Sequence, residues 1–543
     1  MPRHEQATTY MADGYSRAGG RAGVAMVVPG PGVLNAMAGL ATAYASNSKV
    51  LLVAPEIRST AIGRNLGLLH EVSNQSAVLA CATKARVFAD SAARIGESVD
   101  LAFEALATGR PRPVALEVPY DFFAAPVEDS RAATAPLPHP SRLEPAAHDV
   151  DAAAAILSRA KFPVIVAGGG VISADATREL RTLAERLGAP VVTTWNGKGA
   201  IDETHPLAGQ TIGDTGSTVG NALAASADVI LSVGCRFVDW SASSWRRGFT
   251  FAIPPTQLIQ LDVDEREIGK NYPVAVPLVA DAQAGLRDLL DALDAGPPRA
   301  DYGDEIDRLR RRWMEQVEVK SGSDATPMTM ARAVREVQAA TRPDAIVVTG
   351  AGLPQGMVKQ RWVTREPRTH ITSGGFSTMG FTLPAAIGAQ LARPDTQVLA
   401  LAGDGDFLQT MQELSTAAML GTPVCTVVLD NSGWISIKGG QQAHLGRSTV
   451  TDFMRDGAPY SPDFAAIARA FGIHAECADE PAQVRPAVER ALASGGPSLV
   501  HVKVDRDLAV AGPDKTGWWD VPVPQGRPVY DEQLAGRAEE QHR

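Results

Sequence analysis

Two polar turns in the last third of the chain carry residues that suit the binding of a charged ligand. The first is centred on Asp404 and follows an apolar segment of strand length, residues 396–402. The second is centred on Asn431 and follows the β-branched segment 424–429. In a parallel sheet the carboxyl ends of neighbouring strands lie at one edge, where ligands bind. We therefore expect the two turns to lie side by side.

The residue types in these turns favour a divalent cation that holds a diphosphate. Gly403 and Gly405 are expected to let the backbone approach phosphate oxygens, and the following helix offers its N-terminal amides. Asp404 supplies a carboxylate oxygen, Asn431 an amide oxygen and Gly433 a backbone carbonyl, which are ligands that Mg²⁺ accepts. An ordinary turn with an Asp cap is the alternative, and the agreement of two turns makes it less favoured.

From Gly403 to Asn431 the sequence resembles the diphosphate and magnesium motif of thiamine diphosphate (ThDP) enzymes. The resemblance extends along nearly the whole chain and is closest to the superfamily of acetolactate synthases, benzaldehyde lyases and 2-oxoacid decarboxylases. It implies three α/β domains, each with a doubly wound parallel sheet. The first domain would bind the pyrimidine, the second is the central domain, and the third would bind the diphosphate. It also implies ThDP and Mg²⁺ as cofactors.

The alternation of strand-like and helix-like segments divides the chain in the same way. The predicted boundaries are a pyrimidine-binding domain over 1–125, a linker over 126–148, a central domain over 149–297, a connector over 298–324, a diphosphate-binding domain over 325–512 and a tail over 513–543.

Composition excludes several classes of partner. The 543 residues are 45% hydrophobic and 21% charged, with a net charge of −10 and no basic block, which argues against nucleic acid or an anionic membrane. We find no apolar segment of membrane-spanning length and no signal peptide. The four cysteines are scattered without metal spacing, which favours reduced thiols in a cytoplasmic enzyme.

The resemblance assigns a catalytic role to Glu5, which matches the glutamate that contacts N1′ of the aminopyrimidine. The alternative is that Glu5 is an ordinary acidic residue in the first turn of a helix, where the helix dipole favours a negative charge. The downstream residues Gly30, Gly32 and Asn35, which match cofactor-binding positions, strengthen the catalytic interpretation. His70 lies in a segment that the family places beside the thiazolium and the substrate. A proton-transfer role and a loop histidine with satisfied hydrogen bonds remain equally open for it.

Further cofactor contacts follow from the resemblance. Met379 matches the apolar residue that bends the cofactor, and Ser377 matches a position that hydrogen-bonds the pyrimidine. The remaining predicted cofactor-binding residues are Gly350, Ala351, Gly352, Leu353, Gly403, Gly405, Asp406, Trp434 and Ile435. Residues 439–444 are polar and Gly-rich, and we expect them to form a flexible lid.

The central domain has a Gly-rich turn, Gly168–Gly170, that is a weak signal for a dinucleotide because the full spacing is missing. In the family this domain binds FAD in acetolactate synthases, ADP in some relatives and nothing in others. The segments 234–237 and 262–264 match the domain pattern without deciding its occupant. FAD is therefore possible but not implied.

The resulting function is a ThDP- and Mg-dependent C–C bond lyase or carboligase of acetolactate synthase type, acting on a 2-oxoacid or a related small carbonyl compound. A 2-oxoacid decarboxylase and a diketone hydrolase are the alternatives within the family. A flavin or nicotinamide oxidoreductase and a catalytically silent ThDP-binding subunit are the alternatives outside it. The resemblance also implies a homodimer or homotetramer with active sites at the subunit interface.

The start of the chain departs from the family pattern. Relatives have a strand and a helix before the segment that matches Arg3–Glu5, whereas here only two residues precede it. We therefore expect the first sheet to lack a strand and Glu5 to lie at a frayed terminus.

Overall fold

The computed structural model describes residues 1–126, 142–293, 302–506, 523–527 and 529–538. It contains three α/β units, each built around a parallel sheet, which confirms the predicted fold class. Most of the predicted linker, the boundary at 297–298 and the start of the predicted tail at 513 lie outside the described residues. No helix in the described ranges combines the length and apolar character needed to cross a membrane.

The first unit has a four-stranded parallel sheet in the order β1-β2-β4-β3. Its strands are β1 (Gly23–Met26), β2 (Val50–Glu56), β3 (Ala85–Phe88) and β4 (Val114–Pro119), and its helices are α1 (Glu5–Gly19), α2 (Pro31–Ser46), α3 (Gln75–Ala80) and α4 (Ile95–Ala107). The expectation that this sheet lacks a strand stays a prediction.

The central unit has a six-stranded parallel sheet in the order β10-β9-β8-β5-β6-β7. Its elements in chain order are α5 (Ala147–Arg159), β5 (Pro163–Ala167), α6 (Gly169–Ser173), α7 (Thr177–Leu187), β6 (Val191–Thr193), β7 (Ala208–Thr211), α8 (Thr218–Ser226), β8 (Val229–Val233), β9 (Gln257–Asp262), β10 (Val276–Val279) and α9 (Ala282–Ala292), and the connector helix α10 (Gly303–Ser321) follows.

The third unit also has six parallel strands, in the order β12-β11-β13-β14-β18-β17, and a separate antiparallel pair, β15 and β16. Its elements are α11 (Met330–Ala339), β11 (Ile346–Thr349), α12 (Leu353–Arg361), β12 (His370–Thr372), α13 (Thr382–Ala392), β13 (Val398–Gly403), α14 (Asp404–Leu408), α15 (Leu414–Leu420), β14 (Val424–Asp430), α16 (Ile435–Leu445), β15 (Met454–Arg455), β16 (Ala458–Pro459), α17 (Phe464–Ala470), β17 (His474–Ala478), α18 (Pro481–Ala493), β18 (Ser498–Lys503) and α19 (Tyr530–Ala538).

Burial on both faces explains why the central strands of the third unit are continuously apolar. Every residue of β14 is buried. One face of the sheet packs in a core with α13, and the opposite face packs in a core with α11 and α18. Parallel strands covered on both faces need apolar side chains in both directions, so their sequence loses the alternation of a half-exposed strand.

Helix α1 of the first unit packs against α13 of the third unit at very short range. A Cβ atom added at Gly14 would lie 2.0 Å from the carbonyl oxygen of Ala385, and one added at Gly388 would lie 1.9 Å from that of Met11. The buried Tyr10 belongs to the core of the third unit. This crossing fixes the beginning of the chain onto the third unit.

The start of the chain is held in place, so the expectation that Glu5 lies at a frayed terminus is wrong. The backbone amides of Arg3 and His4 donate to the carboxylate of Glu413 at 3.0 to 3.1 Å. Glu5 then opens α1, and the His4 ring caps that helix by accepting from the amide of Gln6. The contact with Glu413 lies too far away in sequence to be read from local pattern.

The expectation of a flexible lid at residues 439–444 is also wrong, because this segment is part of α16. The helix begins at Ile435, which is buried, and ends at Leu445, and Gly446 caps it with a left-handed backbone. A Gly-Gly pair raises the cost of a helix but does not prevent one that is anchored at both ends.

Candidate active site

The two polar turns meet at the carboxyl ends of β13 and β14. Gly403, the last residue of β13, lies opposite Leu429 of β14. Asp404 Oδ1 accepts from the amide of Gly405 at 2.8 Å, and its Oδ2 accepts from the amide of Gly433 in the second turn at 3.1 Å. The structure therefore brings the two turns together, as the strand pattern predicts.

Asp404 is a buried acid with a second acid beside it. Asp404 is only 3% exposed. Burial and the adjacent negative charge of Asp430 raise the pKa of Asp404 to about 7. Asn431, the next residue after Asp430, is also buried, and in the described part of the chain no hydrogen bond engages its side chain. Two carboxyl groups and a buried amide side chain thus share one edge of the sheet.

Asp430 is a site residue that the sequence reasoning missed. Its Oδ2 pairs with His501 Nε2 at 2.9 Å and with Lys503, and its Oδ1 accepts from Ser461 Oγ at 2.6 Å. Burial opposes ionisation, but the hydrogen bonds from His501, Lys503 and Ser461 hold the pKa of Asp430 well below its usual value. The signal was the alternation of His501 and Lys503 with valines in β18, which places both side chains on one face.

Trp434 gives a reason for Gly405 that differs from the predicted one. A Cβ atom at Gly405 would lie 2.0 Å from Cζ3 of the Trp434 ring. The missing side chain therefore makes room for the indole, which packs edge-on against Phe453 at 5.0 Å between centroids. The next residue, Ile435, is buried at the start of α16.

Asp406 faces the protein interior rather than an open site. It is 2% exposed, and its Oδ1 accepts from the amide of Gly380 at 2.7 Å. Burial raises the pKa of Asp406 to about 6. The neighbouring Thr382 hydroxyl accepts from the amide of Gly350 at 2.6 Å. Asp406 and Thr382 thus join three loops of the predicted site, and the cofactor contact of Asp406 stays a prediction.

The other predicted contacts of the third unit lie on two of these loops. Gly350, Ala351 and Gly352 connect β11 to α12, which begins at Leu353. Ser377 has a left-handed backbone, with a φ of 51°, in the loop before α13. The carbonyl of Met379 accepts from the Tyr10 hydroxyl at 3.4 Å. The half-buried Met379 therefore lies where the first and third units meet.

Glu5 lies near the surface of the first unit, with one side-chain partner. Its Oε2 accepts from Asn35 Nδ2 at 3.0 Å. That hydrogen bond is the main cause that lowers the pKa of Glu5, which keeps the carboxylate ionised. Glu5 and Asn35, two residues singled out separately in the sequence, are thus one hydrogen-bonded pair.

Gly30 and His70 are also brought together. Gly30 has a φ of 61°, and a Cβ atom there would lie 2.3 Å from the carbonyl oxygen of His70. Its amide donates to Gln75 Oε1 at 2.9 Å, and Gln75 Nε2 donates to the Pro55 carbonyl. Gln75 was missed because nothing in its local sequence marks a residue that joins two loops. Gly32 lies in the first turn of α2.

Comparison with known proteins gives one consistent answer. Family models for the N-terminal TPP binding domain, the central domain and the C-terminal TPP binding domain of thiamine pyrophosphate enzymes match residues 1–78, 150–289 and 350–502. A probable acetolactate synthase large subunit of Methanocaldococcus jannaschii is 33% identical over 93% of this chain and 85% of its own length. The chain belongs to the thiamine pyrophosphate enzymes.

Other relatives within the thiamine pyrophosphate enzymes carry different names. The mitochondrial catalytic subunit of acetolactate synthase from Saccharomyces cerevisiae is 30% identical over 94% of this chain and 75% of its own length. A probable 2-ketoarginine decarboxylase of Pseudomonas aeruginosa is 34% identical over 93% of this chain and 86% of its own length. Family membership therefore fixes the cofactor class and an acetolactate synthase-like enzyme, and the named activities of these relatives are not uniform.

The residues present fit the cofactors of a thiamine pyrophosphate enzyme at the third unit. Asp404, Asn431 and Gly433 carry oxygen atoms of the kind that Mg²⁺ takes, and the hydrogen bond from the Gly433 amide to Asp404 holds the two turns together. Asp404 and Asp430 also bury two carboxyl groups side by side, and a divalent cation would neutralise the charge that burial disfavours.

A large cavity in the described part of the chain lies elsewhere, between the first and central units. Its volume is about 1180 Å³, and it reaches Phe376 of the third unit. The Gly-rich turn at Gly169 and Gly170, the segment 234–238 and Asp262 all line it. Three segments whose ligand the sequence left undecided thus surround one cavity. Neither Glu5 nor Asp404 is among the residues that line it.

Proposed function

We propose that this thiamine pyrophosphate enzyme is a Mg-dependent C–C bond lyase or carboligase of acetolactate synthase type, acting on a 2-oxoacid or a related carbonyl compound. The observation that carries the proposal is the meeting of the Asp404 and Asn431 turns at one sheet edge. In the proposed site Asp404, Asn431 and the carbonyl of Gly433 hold Mg²⁺, which in turn holds the diphosphate of ThDP.

When bound, ThDP supplies a nucleophilic carbon and an electron sink for breaking or forming a C–C bond beside a carbonyl. The protein supplies positions and protons. Glu5, kept ionised by Asn35, would hold a proton at N1′ of the pyrimidine. Met379 and the loop of Ser377 would support the bent cofactor. His70 remains a candidate for proton transfer to the substrate.

We propose that two copies of the chain complete each active site, in a homodimer or homotetramer. Among the side chains that the structure describes, Asn35 is the one hydrogen-bonded to Glu5, while the Asp404 turn is buried in the third unit. A half-buried catalytic carboxylate gains a fixed position when a second surface covers it, and closed two-fold pairing is the commonest way for a chain to supply that surface.

The test is an assay of the purified chain with ThDP and Mg²⁺ against a panel of 2-oxoacids, alone and paired with aldehydes or second oxoacids. Acyloin or acetohydroxyacid formation supports carboligation, and CO₂ release with free aldehyde supports the decarboxylase alternative. Cleavage of a diketone without CO₂ release supports the hydrolase alternative. No turnover of any compound, with ThDP bound, would favour the silent subunit.

A nucleotide in the central cavity is a second proposal, carried by the three motifs that surround it. Its volume is large enough for a nucleotide-sized ligand. The absorption spectrum of the protein distinguishes FAD from ADP, and mass spectrometry of the denatured sample identifies either. An empty cavity in protein purified under gentle conditions would contradict this proposal.

All four cysteines are free thiols, which suits the expected cytoplasmic location.

A further inference from the structure

We propose that Asp463, Cys477 and His501 form a binding site for Zn²⁺ or a similar borderline-soft divalent ion. One ligand atom from each residue lies within 4.8 Å of the other two. Cys477 and His501 are direct partners in the parallel pair β17 and β18, which places their side chains on the same face of the sheet. Asp463 caps α17, which packs against these strands.

The donor set has the chemistry of a zinc site and not of a magnesium site. Thiolate and imidazole ligands select Zn²⁺ over hard cations, whereas Mg²⁺ prefers oxygen ligands. Three protein ligands leave the fourth tetrahedral position to water. Cys477 and Asp463 are exposed, so an ion has an open path to the site and room for that water.

An independent observation supports His501 as a ligand. His501 is 4% exposed, and its Nε2 pairs with Asp430 Oδ2 at 2.9 Å. This hydrogen bond fixes the ring and leaves Nδ1 as the nitrogen for a metal. A carboxylate on the second ring nitrogen is the usual partner of a metal-bound histidine, because it orients the ring and raises its basicity. The ring of Phe464 also packs against His501, edge-on at 5.0 Å.

The position of the site suggests what the ion would do. It would join the edge strand β17 and helix α17 to β18, and His501 would connect the ion to Asp430 beside the predicted magnesium turn. Binding only to the folded state stabilises that state by mass action. The ion would therefore stabilise the edge of the third unit, and this inference does not depend on the reaction that the enzyme catalyses.

Cysteine alkylation provides a direct test with an internal control. The full-length protein is treated with iodoacetamide with and without one equivalent of Zn²⁺, and modification of each cysteine is followed by mass spectrometry. Cys477 and Cys81 are both exposed, while Cys235 and Cys425 are buried. We expect Zn²⁺ to slow alkylation of Cys477 by at least about tenfold without affecting Cys81, because only a metal-bound thiolate loses its reactivity. Mg²⁺ should protect neither cysteine.

Cobalt gives a second readout that reports the ligands themselves. Co²⁺ should bind with one thiolate charge-transfer band per chain, and this band should be absent in Cys477→Ser and retained in Cys81→Ser. Asp463→Asn should weaken Co²⁺ binding by roughly tenfold while the thiolate band remains at saturation. Equal protection of Cys81 and Cys477, no protection at all, or a thiolate band that survives in Cys477→Ser would each overturn the site.

Discussion

The two ends of the predicted cofactor site differ in how much of the site one chain builds. At the Asp404 end, a buried carboxyl receives two backbone amides, and the adjacent Asp430 is held by His501, Lys503 and Ser461. At the Glu5 end, the carboxylate lies near the surface with Asn35 as its side-chain partner. The difference shows that hydrogen bonds within one chain hold the Asp404 side chain from two sides and the Glu5 side chain less firmly. Under the proposed function, the chain would organise its own metal end, and a second copy would complete the Glu5 end.

The largest expected effect follows from removing the metal end. Asp404→Ala deletes an oxygen ligand of the proposed Mg²⁺ site, and ThDP affinity measured by calorimetry in Mg²⁺ should fall by more than about 100-fold. The reason is that even partners of metal ligands cost 10- to 100-fold when they are removed. Asp395→Ala, which changes an exposed acid before β13, is the control and should bind normally. Unchanged ThDP affinity in Asp404→Ala would contradict the metal assignment.

The Glu5 end should fail in a different way. Glu5→Gln removes the proposed proton partner, so turnover should fall by roughly 10²- to 10⁴-fold while ThDP and Mg²⁺ still bind within a few-fold of normal. Steady-state kinetics and calorimetry on the same samples separate the two effects. A Glu5→Gln enzyme with normal turnover would refute the role given to Glu5.

Mixing the two inactive variants sharpens the comparison. If one active site takes Glu5 from one chain and Asp404 from another, a hybrid of Glu5→Gln and Asp404→Ala contains one intact site. Random pairing in a dimer then restores about a quarter of normal activity. The two variants are co-expressed in equal amounts and purified through a tag that both carry, so that hybrid and parent dimers keep their random proportions. An active site built within one chain would restore nothing.

The sequence predicted the meeting of the Asp404 and Asn431 turns better than the surroundings of Glu5, for a physical reason. The Asp404 and Asn431 turns follow two strands that are neighbours in the sheet, so strand pattern alone brings them together. Asp430 received no role from the sequence because its partners His501 and Lys503 lie about 70 residues later, on a third strand. The contact of Glu413 with the start of the chain spans more than 400 residues and has no local signal. Sheet order is readable from pattern, whereas long-range side-chain contacts are not.

The buried pair of Asp404 and Asp430 leads to a prediction of how pH affects folding stability in metal-free buffer. The pKa of Asp404 rises from an ordinary value of 3.8 to about 7 in the folded protein. Below pH 3.8 the Asp404 carboxyl is protonated in both the folded and the unfolded state, so it does not change the free energy of unfolding. Between pH 3.8 and about 7 the unfolded state loses the proton first, so folding stability falls as pH rises and stays lowered above pH 7.

Comparison with Asp404→Asn isolates this contribution. In metal-free buffer the thermal midpoint of the variant should exceed that of the original chain at pH 8 and approach it near pH 4, with about 2–4 °C for each kcal/mol of difference. Added Mg²⁺ should stabilise the original chain and not the variant. A difference between the two midpoints that does not change with pH would contradict the buried, cation-demanding state of Asp404.

The smallest expected effect tests what holds the Glu5 carboxylate ionised. Asn35→Ala removes the hydrogen bond that contributes most to lowering the pKa of Glu5, so that pKa should rise. Because the ionised form is then lost at a higher pH, the acidic limb of the kcat/KM profile should move upward, with only a few-fold loss near neutral pH. Leu34→Ala, at an exposed neighbour on α2, is the matched control and should leave the limb in place. If Asn35→Ala leaves the limb unmoved although Glu5→Gln is inactive, a group on the covering surface, rather than Asn35, sets the charge of Glu5 in the assembled enzyme.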